Sequence, residues 1–116
     1  MYLKVLKSKL KAVIVTEANV EYPGSITLDP ILMENARLKE FEFVEVNAKN
    51  GKSRINTYVI AGTRGSGEIL LNGGAANFFK KGDIIHVNCF GYIGEDEEII
   101  PKIVYTNEFN LVISVR

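Results

Sequence analysis

Hydrophobic and polar residues alternate along this chain in short runs, broken every few positions by turn residues. Phe41-Glu42-Phe43-Val44-Glu45-Val46 interleaves apolar residues with Glu42 and Glu45 and reads as a half-exposed strand. Residues 2–7 alternate more loosely and predict another strand. Ala12-Val13-Ile14-Val15-Thr16 is an apolar run suited to a buried strand. Further strands are predicted over 26–28, 54–61, 68–71, 84–90, 102–106 and 110–115. Asn50-Gly51 is a hairpin signal between two of these runs. Residues 62–67, Asn72-Gly73-Gly74 and Lys80-Lys81-Gly82-Asp83 read as loops or turns.

Helical signals are few. Asp29-Pro30 is a start signal, with Asp as N-cap and Pro at the first helical position. Ile31, Leu32 and Ala36 would line one face of a short helix ending near Arg37. Thr16–Asn19 predicts a turn or a single helical turn, and Ala75–Phe79 a helical turn. Glu95–Glu98 reads as an acidic patch or short helix before Pro101. Many short strands, glycine turns and short helices predict a mainly β fold, a small barrel or sandwich.

Composition narrows this picture. A chain of 116 residues suits a single domain spanning 1–116. Val and Ile are prominent, which favours β structure. Lys and Arg total 14 and Asp and Glu total 14, so no basic footprint for nucleic acid is present. The single cysteine, Cys89, cannot form an intrachain disulfide, which fits a reducing, cytoplasmic setting. Lysines interrupt the apolar residues near Met1, so neither a signal peptide nor a membrane span is predicted. His86 is the only histidine, so no histidine-paired metal site is expected; Cys89 is expected in the core.

The chemistry centres on Tyr22-Pro23-Gly24-Ser25. Pro at the second position and Gly at the third predict a type II turn. A Ser after such a turn can bring its hydroxyl to the preceding carbonyl, and Gly24 offers no side chain to block it. Attack would move the Gly24 acyl group from nitrogen to oxygen. Loss of the Ser25 α-proton would then expel the Gly24 carboxylate, and hydrolysis with loss of ammonia would leave a pyruvoyl group. The plain alternative is a turn and nothing more. Gly65-Ser66 is a formal competitor for cleavage; its loop lacks the Lys-Ser/Thr pair of a P-loop.

Several ordered motifs carry a resemblance. They are Thr16-Glu17-Ala18, Tyr22-Pro23-Gly24-Ser25-Ile26-Thr27, Thr57-Tyr58-Val59-Ile60-Ala61-Gly62, Arg64-Gly65-Ser66-Gly67-Glu68-Ile69, Leu71-Asn72-Gly73, Gly82-Asp83 and Asp96-Glu97-Glu98. With them the chain resembles the pyruvoyl-dependent aspartate 1-decarboxylases over nearly its whole length. The resemblance implies a six-stranded double-psi β-barrel, assembled as a homotetramer with active sites between subunits. It implies decarboxylation of L-aspartate to β-alanine for pantothenate and coenzyme A synthesis, through a Schiff base with a pyruvoyl cofactor derived from Ser25. Cleavage would give fragments 1–24 and 25–116.

The resemblance also assigns roles. Lys9 and Arg54 match substrate-binding positions, and the planar fork of Arg54 suits the retained side-chain carboxylate. Tyr58 matches the proton donor that follows decarboxylation, and Thr57 a residue that assists cleavage at Gly24 and lines the substrate site. Asn72, Gly73, Gly74 and Ala75 match a pocket turn whose N–H groups can bind an anion. The family pattern has Ala where Gly74 stands, which should loosen that turn. Lys11 replaces a His seen in some members. From residues alone, Lys9 and Arg54 also read as solvated strand positions, and Tyr58 and Thr57 as packing residues. The alternative for the whole chain is a non-enzymatic barrel module for binding or assembly.

Overall fold

The computed structural model describes all residues, 1–116. The chain is mainly β. Nine strands run in the order β1 (Tyr2–Ile14), β2 (Glu17–Asn19), β3 (Ser25–Leu28), β4 (Phe43–Ala48), β5 (Arg54–Ala61), β6 (Ile69–Asn72), β7 (Ile84–Gly94), β8 (Lys102–Thr106) and β9 (Val112–Val115). One helix, α1 (Pro30–Asn35), follows β3, and a 3₁₀ turn over Gly73–Asn77 follows β6.

The two strands expected over 2–7 and 12–16 are one long strand. Bulges between Leu6 and Ser8 and between Leu10 and Val13 keep it in register with β7. At the second, Ala12 takes a left-handed φ of 55°. The extra residue lets Leu10 and Val13, three apart, both face the core. A third expectation gives way nearby. Residues 17–19 form a strand, because the Thr16 hydroxyl donates to the Ile69 carbonyl (3.0 Å) and accepts from the Ile69 N–H (2.9 Å). That pair aligns β2 beside β6. The strand expected over 41–46 starts later: Phe41 has φ of 71°, and β4 runs from Phe43.

Neighbouring strands follow the order β2-β6-β3-β5-β4-β7-β1-β8-β9. The pairs β1–β8, β2–β6 and β3–β5 are parallel, and the rest antiparallel. No pairing joins β2 to β9, so backbone hydrogen bonds do not close the nine strands into a cylinder. The strands nevertheless enclose one cluster of 19 buried residues, including Leu10, Val13, Ile26, Val44, Val59, Leu71 and Val87. Cys89 is in it, as its apolar surroundings require.

Two buried polar side chains tie the loops to this core. Asp29 caps α1 by accepting from the Ile31 N–H (2.9 Å), and accepts from the Gly65 (3.0 Å) and Gly67 (2.8 Å) N–H groups as well. Asn110, with φ of 60°, accepts from the Ile14 N–H (2.8 Å) and donates to the Ile14 (2.9 Å) and Gly67 (2.8 Å) carbonyls. The helix ends at Asn35, and Arg37 turns the chain with φ of 57°. Residues 95–98 form no helix. No helix is long and apolar enough to cross a membrane.

Candidate active site

Strand β3 lies between β6 and β5, and this placement builds the site. The antiparallel register sets Ser25 opposite Asn72. The parallel register pairs Ile26 with Val59, so Ser25, which opens β3, lies level with Tyr58 in the middle of β5. Ser25 is only 5% exposed, and its Oγ accepts a hydrogen bond from Asn72 Nδ2 at 2.9 Å. The same amide nitrogen donates to Thr27 Oγ1 at 3.0 Å. Asn72 Oδ1 is buried without a partner.

The type II turn expected at 22–25 does not form. The Gly24 φ lies outside the left-handed region, and a β-carbon there would meet nothing within 4 Å. The chain turns earlier, where Asn19 Oδ1 accepts from the Glu21 N–H at 2.9 Å. The glycine that matters is Gly73. It has φ of +64°, and a β-carbon on it would lie 2.7 Å from Gly24 N and Cα and 2.8 Å from the Tyr22 carbonyl oxygen. The turn after β6 therefore presses backbone against backbone on the Gly24–Ser25 link.

Gly24 forms part of the wall of a cleft of about 550 Å³, the largest of four. Thr57, Tyr58, Gly74 and Ala75 share that wall. So do Phe43, Ile55, Asn56, Asn77 and Phe78, which the sequence reading did not single out. Phe43 was findable: it alternates outward on β4, pairs with Tyr58 and is 63% exposed, unusual for a phenylalanine. Thr27 was also missed; only the β3–β6 register shows that its hydroxyl reaches Asn72. No hydrogen bond joins the Thr57 hydroxyl to Gly24. A cleft of about 500 Å³ lined by Lys49, Asn50 and Asp83 holds no such group of hydroxyl and amide side chains.

Cross-strand pairing brings seven of the expected residues, Gly24, Ser25, Thr57, Tyr58, Asn72, Gly73 and Gly74, together where β3 begins, β6 ends and β5 passes at mid-strand, with Ala75 beside them. It does not bring the two cations. Lys9 lies on β1, half-buried, separated from β3 by β7, β4 and β5. Arg54 opens β5 and is exposed, off the cleft wall. Its Nε donates to Asn47 Oδ1 at 3.0 Å, directly across the β4–β5 pair. Asn47 Nδ2 in turn donates to Glu45 Oε1 at 2.9 Å. That bond first, with help from Asn88 and the Arg54 and Lys4 charges against the effect of burial, holds the Glu45 carboxyl below its ordinary value. Neither Arg54 nor Lys9 is in an ion pair. No group of three His, Cys, Asp or Glu side chains is placed to hold a metal ion.

The sequence pattern of the aspartate decarboxylase family matches residues 1–113. This chain belongs to the aspartate decarboxylase family. It is 43% identical to an aspartate 1-decarboxylase of Acetivibrio thermocellus, over 100% of this chain and 94% of the relative. It is 45% identical to one of Caldicellulosiruptor saccharolyticus, over 99% and 91%. A third, from Pseudothermotoga lettingae, is 46% identical over 97% of both chains. As a member of the aspartate decarboxylase family the chain is a lyase, and the cleft beside Gly24 is its candidate active site.

Proposed function

We propose that this chain cuts itself between Gly24 and Ser25 and uses the resulting pyruvoyl group to decarboxylate L-aspartate to β-alanine and carbon dioxide, a step toward pantothenate and coenzyme A. One observation carries the reading. Ser25 is buried under an amide N–H while the bond before it is clamped by Gly73 at the wall of the largest cleft.

The self-cleavage balances without any added oxidant. Ser25 Oγ bonds to the Gly24 carbonyl carbon, the Gly24–Ser25 C–N bond breaks, and the hydroxyl proton passes to the Ser25 nitrogen. Loss of the Ser25 α-proton then breaks the Cβ–Oγ bond and releases Gly24 as a carboxylate. The remaining enamine takes up water and releases ammonia. The residues fit the product. A pyruvoyl group carries acceptor oxygens and no donors, and Asn72 Nδ2 already faces position 25 as a donor. When present, that group supplies a ketone to take up the substrate amine and a sink for the electron pair that decarboxylation leaves. Ser25 is off the cleft wall and Gly24 is on it, so departure of the new Gly24 terminus opens the wall to position 25.

The other residues bind and supply protons. Asn47 holds Arg54 by Nε, which leaves both terminal nitrogens free to pair with the side-chain carboxylate of aspartate. Lys9 helps orient the substrate. Tyr58 on the wall returns a proton to the carbon that lost carbon dioxide. Thr57, on the same wall, assists at the Gly24 carbonyl. Gly73, Gly74 and Ala75 offer N–H groups to the anion. Both cations stand off the wall, and exposed Phe43, Phe78 and Tyr22 flank it. These features support a homotetramer in which a second subunit completes each site. Crossovers between non-consecutive parallel strands support a single double-psi barrel domain over 1–116. The unpaired, buried Cys89 fits a cytoplasmic location.

Intact mass under denaturing conditions tests the central step. Two species are expected, divided between residues 24 and 25, the larger lighter by one ammonia than a serine-initiated fragment. A single uncut chain that releases carbon dioxide from aspartate would overturn the reading.

A further inference from the structure

Thr27 follows Ser25 by two residues on β3, so both side chains leave the same face of the strand. Asn72, the cross-strand partner of Ser25, projects from the same face, and its amide reaches both side chains. Its nitrogen donates to Ser25 Oγ at 2.9 Å and to Thr27 Oγ1 at 3.0 Å, while Oδ1 is left without a partner. An amide has two N–H donors and one oxygen, and buried N–H groups are orphaned more rarely than buried carbonyls. With hydroxyls at both 25 and 27, one amide orientation satisfies both donors. Turning the amide over would orphan both at once. With no hydroxyl at 27, one N–H is orphaned in the present orientation, and the penalty separating the two orientations shrinks.

We propose that Thr27 is a positioning residue for self-cleavage: its hydroxyl fixes the Asn72 amide so that an N–H, and not the oxygen, faces Ser25 Oγ. The polarity matters to the first step. As Ser25 Oγ gives up its proton and attacks the Gly24 carbonyl, an N–H donor stabilises the charge gathering on that oxygen. An amide oxygen in the same place would repel it and hold the hydroxyl proton back. The Thr27 methyl has a separate task. It packs toward Gly62, where a β-carbon would lie 2.8 Å from Cγ2. Valine keeps that methyl and loses only the hydroxyl, while serine does the reverse.

The inference rests on the self-cleavage reading, and the experiment separates the two. Purified precursor is followed by intact mass over time for the unaltered chain, Thr27→Val, Thr27→Ser, Asn72→Ala and the Thr27→Val/Asn72→Ala double variant. Thr27→Val should cut about tenfold more slowly, with Thr27→Ser restored to near the unaltered rate. In the Asn72→Ala background, Thr27→Val should add nothing, because its partner is gone. Equal rates for Thr27→Val and the unaltered chain would overturn the inference and leave self-cleavage standing. So would a Thr27→Ser rate as slow as that of Thr27→Val, or a full additional loss in the double variant. Absence of cleavage in the unaltered chain would overturn both.

Discussion

Gly73 meets Gly24 backbone against backbone, with room for no β-carbon between them. Gly73→Ala must therefore push the 22–24 segment away and adopt a left-handed φ that costs an alanine about 1–2 kcal/mol by itself. Loss of stability in urea and loss of cleavage by intact mass are expected together. The neighbouring Gly74 is the control. A β-carbon there meets nothing within 4 Å, and its φ is not left-handed. Gly74→Ala should fold and cleave as before, gaining up to about 1 kcal/mol from a stiffer unfolded chain.

Replacing Ser25 should remove the proposed nucleophile and leave the fold. Ser25→Ala should remain one chain on a denaturing gel and release no carbon dioxide from aspartate. It also leaves one Asn72 N–H without its acceptor, a loss of about 1–3 kcal/mol in urea unfolding.

Replacing Arg54 should divide processing from binding. It stands away from Ser25, so Arg54→Ala should mature normally by intact mass. Its KM for aspartate should rise at least ~10-fold from loss of a charge-assisted pair. Asn47→Ala, which frees the Arg54 Nε, should move KM in the same direction by less. An unchanged KM in Arg54→Ala would remove it from the substrate site.

His86 makes the fold sensitive to mild acid. Its Nδ1 accepts from the Ala12 N–H at 3.0 Å and so must be unprotonated there. Burial first, and then the Lys9, Lys11 and Lys49 charges, hold the imidazole below its ordinary 6.5. A folded-state value below the unfolded one means that the unfolded chain takes up the proton more readily. This contribution to stability is complete above about pH 6.5 and is lost as pH falls through the lowered value. The urea midpoint should drop between pH 7 and pH 5, and His86→Leu should flatten that slope.

Asp29 acts at lower pH with the same sign. Burial works to raise its carboxyl, but the Ile31, Gly67 and Gly65 N–H groups and the Arg64 charge hold it below its ordinary 3.8. Its support is present above that value and lost as pH falls through the lowered one. Asp29→Ala should cost at least ~2 kcal/mol in urea unfolding, since it removes a helix cap and orphans two loop N–H groups.

Local patterning was enough to read most of the strands and α1, because hydrophobic patterning and the Asp29-Pro30 start signal are local physics. Pairing partners were not. Residues 17–19 look polar and turn-like until Thr16 is seen exchanging hydrogen bonds with Ile69, far away in sequence. The left-handed Ala12 and Asn110 were equally hidden, since His86 and the Ile14–Gly67 pair stabilise them from a distance. At the site, the local reason for singling out Tyr22-Pro23-Gly24-Ser25 failed. No type II turn presents the Gly24–Ser25 link; Gly73, in the turn after β6, presses on it instead. Thr27 escaped notice because only cross-strand register gives it Asn72 as a neighbour.

Strand β1 ends at Ile14, inside the short piece that cleavage would release, yet it lies between β7 and β8 and lends Leu10 and Val13 to the shared core. The cut therefore changes the molecularity of folding. An uncut chain that unfolds can refold by itself. A mature one, once its pieces separate, must find its other half in solution. Its melting temperature should then fall on dilution, while that of uncut Ser25→Ala should depend less on concentration. If the chain cuts itself as proposed, folding must precede cutting, and the mature protein would carry a memory of that order in a strand it could not easily recapture.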